Sequence, residues 1–342
     1  MPEPSVSEKA RATADKAGKT YAFADQHNPA LPADWWFQES IDGLVLFIVF
    51  YTLACRWGRC LGCNLPSVCS SHPIGYRHIM QQVDHLFALP EIQARREAIR
   101  KVILSNNGSV LDEVTFSSTA LMYFLAQCNL KLPGMAVLAI ETRPEYVDLA
   151  ELEFLSRALA EGETPTQLEV AIGFEVFDDT LRNERFRKGL PLDAVEALLD
   201  KIAPYGFHLK CYFMQKPVPG LSDEAGVEDI HRAIDYLDAA SSRYGVTINM
   251  HLNPTYVARG TPLAEAFARG EYVPPTLTDV ARAALHGAGK AVSIFIGLSD
   301  EGLAVEGGSF LHPGDTALVK QLETFNRTQD YTILAACTTP NR

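Results

Sequence analysis

Residues 44–69 read LVLFIVFYTLACRWGRCLGCNLPSVC, and the fold is decided by how this stretch is divided. Leu44 to Leu53 is a run of aliphatic, aromatic and β-branched residues with the length and composition of a fully buried strand. It empties directly into Cys55, Cys60 and Cys63, three of the seven cysteines in the chain. Thiolates are soft ligands suited to iron–sulfur clusters, Zn(II) or Cu(I), and three of them in so short a loop can converge on one inorganic centre. A four-iron cluster held by three cysteines leaves one iron open. A closed zinc site is the competing reading. It wants four ligands, and as no second C-x2-C pair exists, Cys69 or His72 would have to complete it. A disulfide reading is weaker, since the chain shows no secretory signal and is long enough to bury a core without staples.

At 342 residues, 47% hydrophobic and 21% charged, the chain has a globular composition. Its formal net charge of −12 works against nonspecific attraction to phosphate backbones. Nucleic acid would have to meet a local basic patch or arrive through a partner. Leu44 to Leu53 is about half the length needed to cross a bilayer. No membrane association is expected, and a cytoplasmic location suits free thiols.

Residues 1–33 are polar and read as a mobile lead-in with one short helix, after which Trp35-Trp36-Phe37 marks the start of packed structure as core or lid. Beyond the cysteines, helices are expected at Ile79 to Phe87, Pro90 to Ile99, Ser117 to Cys128, Val147 to Glu161, Leu192 to Ile202, Val227 to Tyr244 and Leu277 to His286. Between them lie apolar runs at Lys101 to Leu104, Met135 to Glu141, Leu168 to Phe174, Phe207 to Gln215, Thr247 to Leu252 and Ala291 to Ile296. With the cysteine strand these make seven strands alternating with helices, which implies an α/β fold with a parallel sheet and right-handed crossovers. The expectation is a partial (β/α)6-type TIM barrel of parallel strands over residues 34–300, with N- and C-terminal extensions. The last of these, residues 301–342, closes the barrel with a helix near Thr316 to Thr324 and a strand-like Tyr331 to Ala336. The cysteines, Asn107, Glu141, Arg143, Glu175, Lys216 and Asn253 all fall where strands end, and in such barrels the C-terminal strand ends form the active-site mouth.

Five segments then stand in order behind the cysteine triplet: SNNGSVLDE (105–113), ETRPEYV (141–147), AIGFEVFDDTLRNERFRKGL (171–190), LKCYFMQKP (209–217) and LNPTYVARGTPLAEAFARGEYVPPTL (252–277). Together they resemble the radical S-adenosylmethionine (SAM) superfamily, and within it the archaeosine-biosynthesis radical SAM proteins and their Elongator-type and methylthiotransferase-type relatives. The resemblance implies that Cys55, Cys60 and Cys63 ligate a [4Fe-4S] cluster whose open iron takes SAM. Cleavage of a sulfonium C–S bond then normally gives a 5′-deoxyadenosyl radical. It also implies that Asn107, Gly108 and Ser109 meet the methionine amino group, that Glu175 and Asn253 face SAM, and that Arg187 and Lys188 lie where a cation pairs with the SAM carboxylate. An ordinary Asn-Gly turn, a surface cation and an Asn-Pro turn are the plain alternatives for these residues.

Glu141 and Arg143 resemble a barrel-mouth pair facing substrate, or else brace each other as an ion pair. Lys216 is a substrate contact or a solvated loop lysine. Tyr272 reads as packing, and Cys128 and Cys211 as buried small hydrophobes. The implied partners are an electron donor of flavodoxin or ferredoxin type and either a small-molecule substrate or, through a partner protein, tRNA. Two features depart from the family pattern. The spacing C-x4-C-x2-C is one residue longer in its first gap than the usual C-x3-C-x2-C, and Gly62 stands where most members carry a bulky side chain beside the adenine. Adenine packing would then fall to Leu61 or Leu65, or an altered pose would release a 3-amino-3-carboxypropyl radical instead. A lyase or transferase reaction is implied; a zinc-stabilised binding protein without turnover is the reading of another class.

Overall fold

The computed structural model describes residues 5–338, and the expected lead-in and C-terminal extension each reach into the residues outside that range. The chain divides into two compact units, one holding residues up to Ala17 with Ala22–Gly58 and Leu65–Ile172, the other holding Gly18–Tyr21, Arg59–Asn64 and the chain from Gly173 onward.

In the first unit, α1 (Val6–Lys16) starts at a capping box in which Ser5 and Glu8 bond reciprocally. Strand β1 (Asp34–Ser40) pairs antiparallel with β2 (Gly43–Val49), and Trp36 stacks on Phe47 with ring centroids 4.2 Å apart. The Trp-Trp-Phe segment is therefore an edge strand, and Trp36 packs on the buried cluster of Val45, Phe47 and Val49, which is the core reading of this segment. Helices α2 (Tyr76–Ala88), α3 (Pro90–Arg95), α4 (Ser118–Lys131) and α5 (Leu149–Leu159) separate the parallel strands β3 (Ile99–Ser105), β4 (Val137–Thr142) and β5 (Gln167–Glu175). The apolar run after Gly43 stays buried to Ala54 but ceases to be strand at Val49, because its neighbour β3 ends at Ser105. The orphaned backbone finds other partners: the Gln82 side chain accepts from Tyr51 N at 2.9 Å and donates to Tyr51 O at 2.9 Å. Ile99, expected as the end of a helix, opens β3 instead.

In the second unit, α6 (Leu192–Ile202), β6 (His208–Gln215), α7 (Asp223–Tyr244), β7 (Ile248–Pro254), α8 (Pro262–Ala268), α9 (Leu277–Leu285) and β8 (Ser293–Ile296) continue the alternation, with β6, β7 and β8 parallel. Helix α8 was not expected, although Thr261 at its N-cap and Pro262 in its first turn are standard start signals. Helices α10 (Thr316–Thr328) and α11 (Tyr331–Thr338) complete the described chain. The strand expected at Tyr331 to Ala336 is thus helix. Short apolar runs do not distinguish the two by periodicity, and α11 packs on α9 and α10. Asn326 and Gln329 present side-chain amides to β8, bonding N and O of Ile296 at 2.8 Å each and N and O of Ile294 at 2.9 and 2.7 Å. They satisfy backbone groups that an edge strand would otherwise expose.

All seven expected parallel strands are present as β2 to β8, and the strand order follows the chain from β1 to β8. This is a mostly parallel sheet of α/β class, with one antiparallel strand added at its start. Among the described residues no helix is long and apolar enough to cross a membrane.

Candidate functional site

In the first unit the candidate residues gather around the loop that leaves β3. A Cβ built on Gly108 would lie 3.2 Å from Cys55 Cα, so a side chain there would push Cys55 back by a few tenths of an ångström. The loop is set by Asn106, fully buried, whose Oδ1 accepts from Gly108 N at 3.1 Å while its Nδ2 donates to Thr115 Oγ1 at 3.2 Å. Asn107 is the part-exposed one, with a left-handed φ of 56°. The two asparagines, indistinguishable in sequence, have separate jobs: one builds the turn and the other is presented by it. Ser109 Oγ accepts from Arg143 N at 3.1 Å, joining this loop to the end of β4.

Glu141, in β4, accepts at its carbonyl from Val110 N at 2.9 Å. The Arg143 guanidinium pairs with Glu145 at 2.5 Å and lies 4.6 Å from the ring centroid of Trp57. Neither partner was anticipated. Arg56 also emerges here, bound to Asp112 at 2.6 Å and to Tyr146 Oη at 3.1 Å. Asp112 and Tyr146 stand inside two of the quoted segments, which was their only sequence signal.

In the second unit, Cys60 and Leu61 pack against the buried trio Val176, Phe186 and Val218 from the segments after β5 and β6. Leu61 N donates to Phe186 O at 2.9 Å. Leu61 is thereby half-buried against this cluster. The space a side chain at Gly62 would take is filled by Leu263 of α8, whose Cδ2 lies 3.1 Å from the built Cβ. Lys19, from the segment read as a lead-in, is only 6% exposed and donates to Cys60 O at 2.6 Å, Leu61 O at 2.9 Å and Cys63 O at 2.8 Å. Burial pushes its ammonium below the usual lysine range, and the nearby Cys63 and Cys60 sulfurs pull only partly against that.

Glu175, at the end of β5, accepts from Lys188 Nζ at 2.8 Å, so the cation that meets it is Lys188. The following turn is pinned by Asp229 of α7, which accepts from Phe177 N at 2.9 Å and Asp178 N at 2.8 Å. Arg182, fully buried, donates to the carbonyls of Leu190, Val176 and Phe177 at 2.6, 3.0 and 2.8 Å and so closes the loop that carries Arg187. Lys216 pairs with Asp223 at 2.6 Å, and its carbonyl accepts from Tyr272 Oη at 2.7 Å. Tyr272 packs as expected and also ties down the end of β6. Asn253, in β7, turns its side chain onto the backbone of Gly297, where a Cβ would collide with it.

Backbone geometry singles out the same residues. Six non-glycine residues adopt positive φ among those described, and four are Asn107 (56°), Glu175 (72°), Arg187 (64°) and Lys216 (58°). Side chains at such φ cost about 1 kcal/mol or more each, and strain of this kind concentrates at functional sites.

Cys55, Cys60 and Cys63 form no disulfide and are of intermediate exposure, unlike the buried Cys69, Cys128 and Cys211. Cys55 belongs to the first unit and Cys60 and Cys63 to the second. Among the described residues no group of three or more His, Cys, Asp or Glu side chains is close enough to hold a metal ion. Thiolates are the donor type an iron–sulfur cluster takes, and the turn from Cys60 to Cys63 is held by Lys19 on its carbonyls and by Phe186 O on Leu61 N. The candidates for a fourth zinc ligand are engaged elsewhere. Cys69 Sγ donates to Leu65 O at 3.4 Å, and His72 Nδ1 lies 2.7 Å from Ser7 Oγ.

No family model matches the chain. Over 254 residues it is 29% identical to archaeosine synthase subunit beta of Methanosarcina acetivorans, spanning 72% of this chain and 69% of that one. The resemblance read from the quoted segments is therefore also one of overall sequence. It is 26% identical over 242 residues to archaeosine synthase subunit beta of Thermococcus kodakarensis, covering 69% of each. Among solved structures it is similar to Elp3 of Methanocaldococcus infernus, with a TM-score of 0.48 and 15% identity over 67% of this chain. The chain spans about half the length of that structure, 54%.

Proposed function

We propose that the chain is a radical SAM enzyme in which Cys55, Cys60 and Cys63 hold a [4Fe-4S] cluster. The observation that carries this reading is the coincidence of strain with motif: of the six left-handed non-glycine residues among those described, three are strand-end candidates, Asn107, Glu175 and Lys216, and a fourth is Arg187 in the loop after β5. When bound, the reduced cluster supplies the electron that cleaves a sulfonium C–S bond of SAM.

The chain's own residues orient and enclose. Asn107, Gly108 and Ser109, held rigid by Asn106, receive the methionine amino group. Glu175, steadied by Lys188, and Asn253 face SAM, while Arg187 offers its guanidinium to a carboxylate. Glu141, Arg143 and Lys216 face substrate, the last two placed by Glu145 and Asp223.

The two relatives named archaeosine synthase subunit beta favour a modified nucleoside of tRNA as substrate, reached with a partner subunit. The acidic balance of this chain agrees with a partner supplying most of the contact to the phosphate backbone. An electron donor of flavodoxin or ferredoxin type completes the assembly.

Anaerobic reconstitution with iron and sulfide tests the reading. The expected product is a brown protein with about four irons per chain, as for a cubane cluster. A colourless protein that takes up one zinc with high affinity would replace it with the zinc-stabilised alternative.

A further inference from the structure

Lys19 is 41 residues before Cys60, in a polar segment with no motif of its own, yet its ammonium is buried against the backbone of the cysteine loop. An ammonium has three N–H bonds and accepts none. Here all three are used on carbonyls of one turn, those of Cys60, Leu61 and Cys63. Thr20 N extends the attachment by donating to Gly260 O at 3.0 Å. Three carbonyls converging on one point repel one another unless a cation sits there, so the turn and the lysine stabilise each other.

We propose that Lys19 is a positioning residue for the cluster: it fixes the carbonyl side of the Cys60–Cys63 turn and keeps one positive charge beside two of the three thiolates. The inference rests on the cluster reading above and goes beyond it. A cluster with three thiolate ligands gains negative charge on reduction. A fixed cation in a low-dielectric surrounding favours that reduced state and raises the potential. Neutralising position 19 lowers the potential, and removing its donors loosens the turn.

Three variants of the full chain separate these effects. Lys19→Met removes both charge and donors, Lys19→Gln keeps an N–H donor group without charge, and Lys19→Arg keeps the charge with a different donor geometry. Each is reconstituted anaerobically, with far-UV circular dichroism to confirm folding, and iron content and midpoint potential are measured by a reductive titration followed by electron paramagnetic resonance. The expected pattern is loss of most of the iron in Lys19→Met, near-parental iron but a lower potential in Lys19→Gln, and near-parental values for both in Lys19→Arg. Should Lys19→Met not fold, the potential of Lys19→Gln against Lys19→Arg carries the decision. Parental iron and potential in Lys19→Gln, whatever Lys19→Met does, would overturn the inference. Failure of the parent itself to take up iron would instead overturn the cluster reading, and this inference with it.

Discussion

The ion pair between Glu175 Oε1 and Lys188 Nζ, 2.8 Å long, lies over the backbone of Gly173, in the space any side chain there would occupy. Only glycine two residues earlier in β5 allows the carboxylate to reach its lysine across the strand end. The colliding atoms are the ends of two flexible side chains, so an added methyl displaces the pair rather than the strand. Gly173→Ala is therefore expected to cost about 1 kcal/mol of stability, a thermal shift of a few degrees. SAM affinity in the reconstituted protein should fall about tenfold, which is about 1.4 kcal/mol. Equilibrium binding of SAM measures this, and unchanged affinity would remove Glu175 from the cofactor-binding set.

Arg182 serves stability before chemistry. Arg182→Met leaves three backbone carbonyls without their donor in a buried loop. At about 1–3 kcal/mol for each unsatisfied buried group, the loss should reach about 3 kcal/mol or more. Denaturant unfolding reads it directly, and a change under about 1 kcal/mol would mean that water replaces the guanidinium.

Lys101 pairs with Glu169 and Asp42 at 2.8 Å each and is 3% exposed. Burial pushes its ammonium down, but the two carboxylates outweigh burial and the net shift is upward. A raised folded-state pKa gives stability that is full below the unfolded value, about 10.4, and is lost as pH rises through the folded one. Thermal midpoints should therefore fall above about pH 10 in the parent and fall less in Lys101→Met/Glu169→Met, where the pair is replaced by apolar chains. Parallel pH profiles would show that the triad contributes nothing to the alkaline limit.

Alkylation of the native, cluster-free protein should follow exposure. Cys55, Cys60, Cys63 and Cys337 are partly exposed, whereas Cys69, Cys128 and Cys211 are buried, and burial pushes the Cys128 thiol far up. Iodoacetamide with peptide mapping should mark the first four and spare the last three. After reconstitution only Cys337 should still react. Protection of Cys337 alone, or of none, would place the cluster elsewhere or nowhere.

Much of this was legible in the sequence because buried parallel strands write themselves as unbroken apolar runs. The seven runs from Leu44 to Ile296 each correspond to a strand. The errors occurred where that signal is weak. β1 is a half-exposed edge strand whose tryptophans were read as core or lid without a strand being expected, and Tyr331 to Ala336 is too short for periodicity to decide. The strand ends pointed to Asn107, Glu175 and Lys216, yet their partners did not follow from spacing. Lys188 on Glu175, Glu145 on Arg143 and Leu263 over Gly62 depend on how loops pack. Lys19 was the least legible, since nothing in a polar N-terminal segment signals an ammonium destined for three carbonyls 41 to 44 residues away.

The central claim is that three thiolates, Cys55, Cys60 and Cys63, activate SAM. Its most direct test is to reduce the reconstituted 342-residue chain with SAM alone and identify the released fragments by mass spectrometry, beside Cys55→Ala, Cys60→Ala and Cys63→Ala. The account predicts 5′-deoxyadenosine from the parent and none from any of the three variants. SAM left intact by the parent, or cleaved equally well without one of the cysteines, would contradict it.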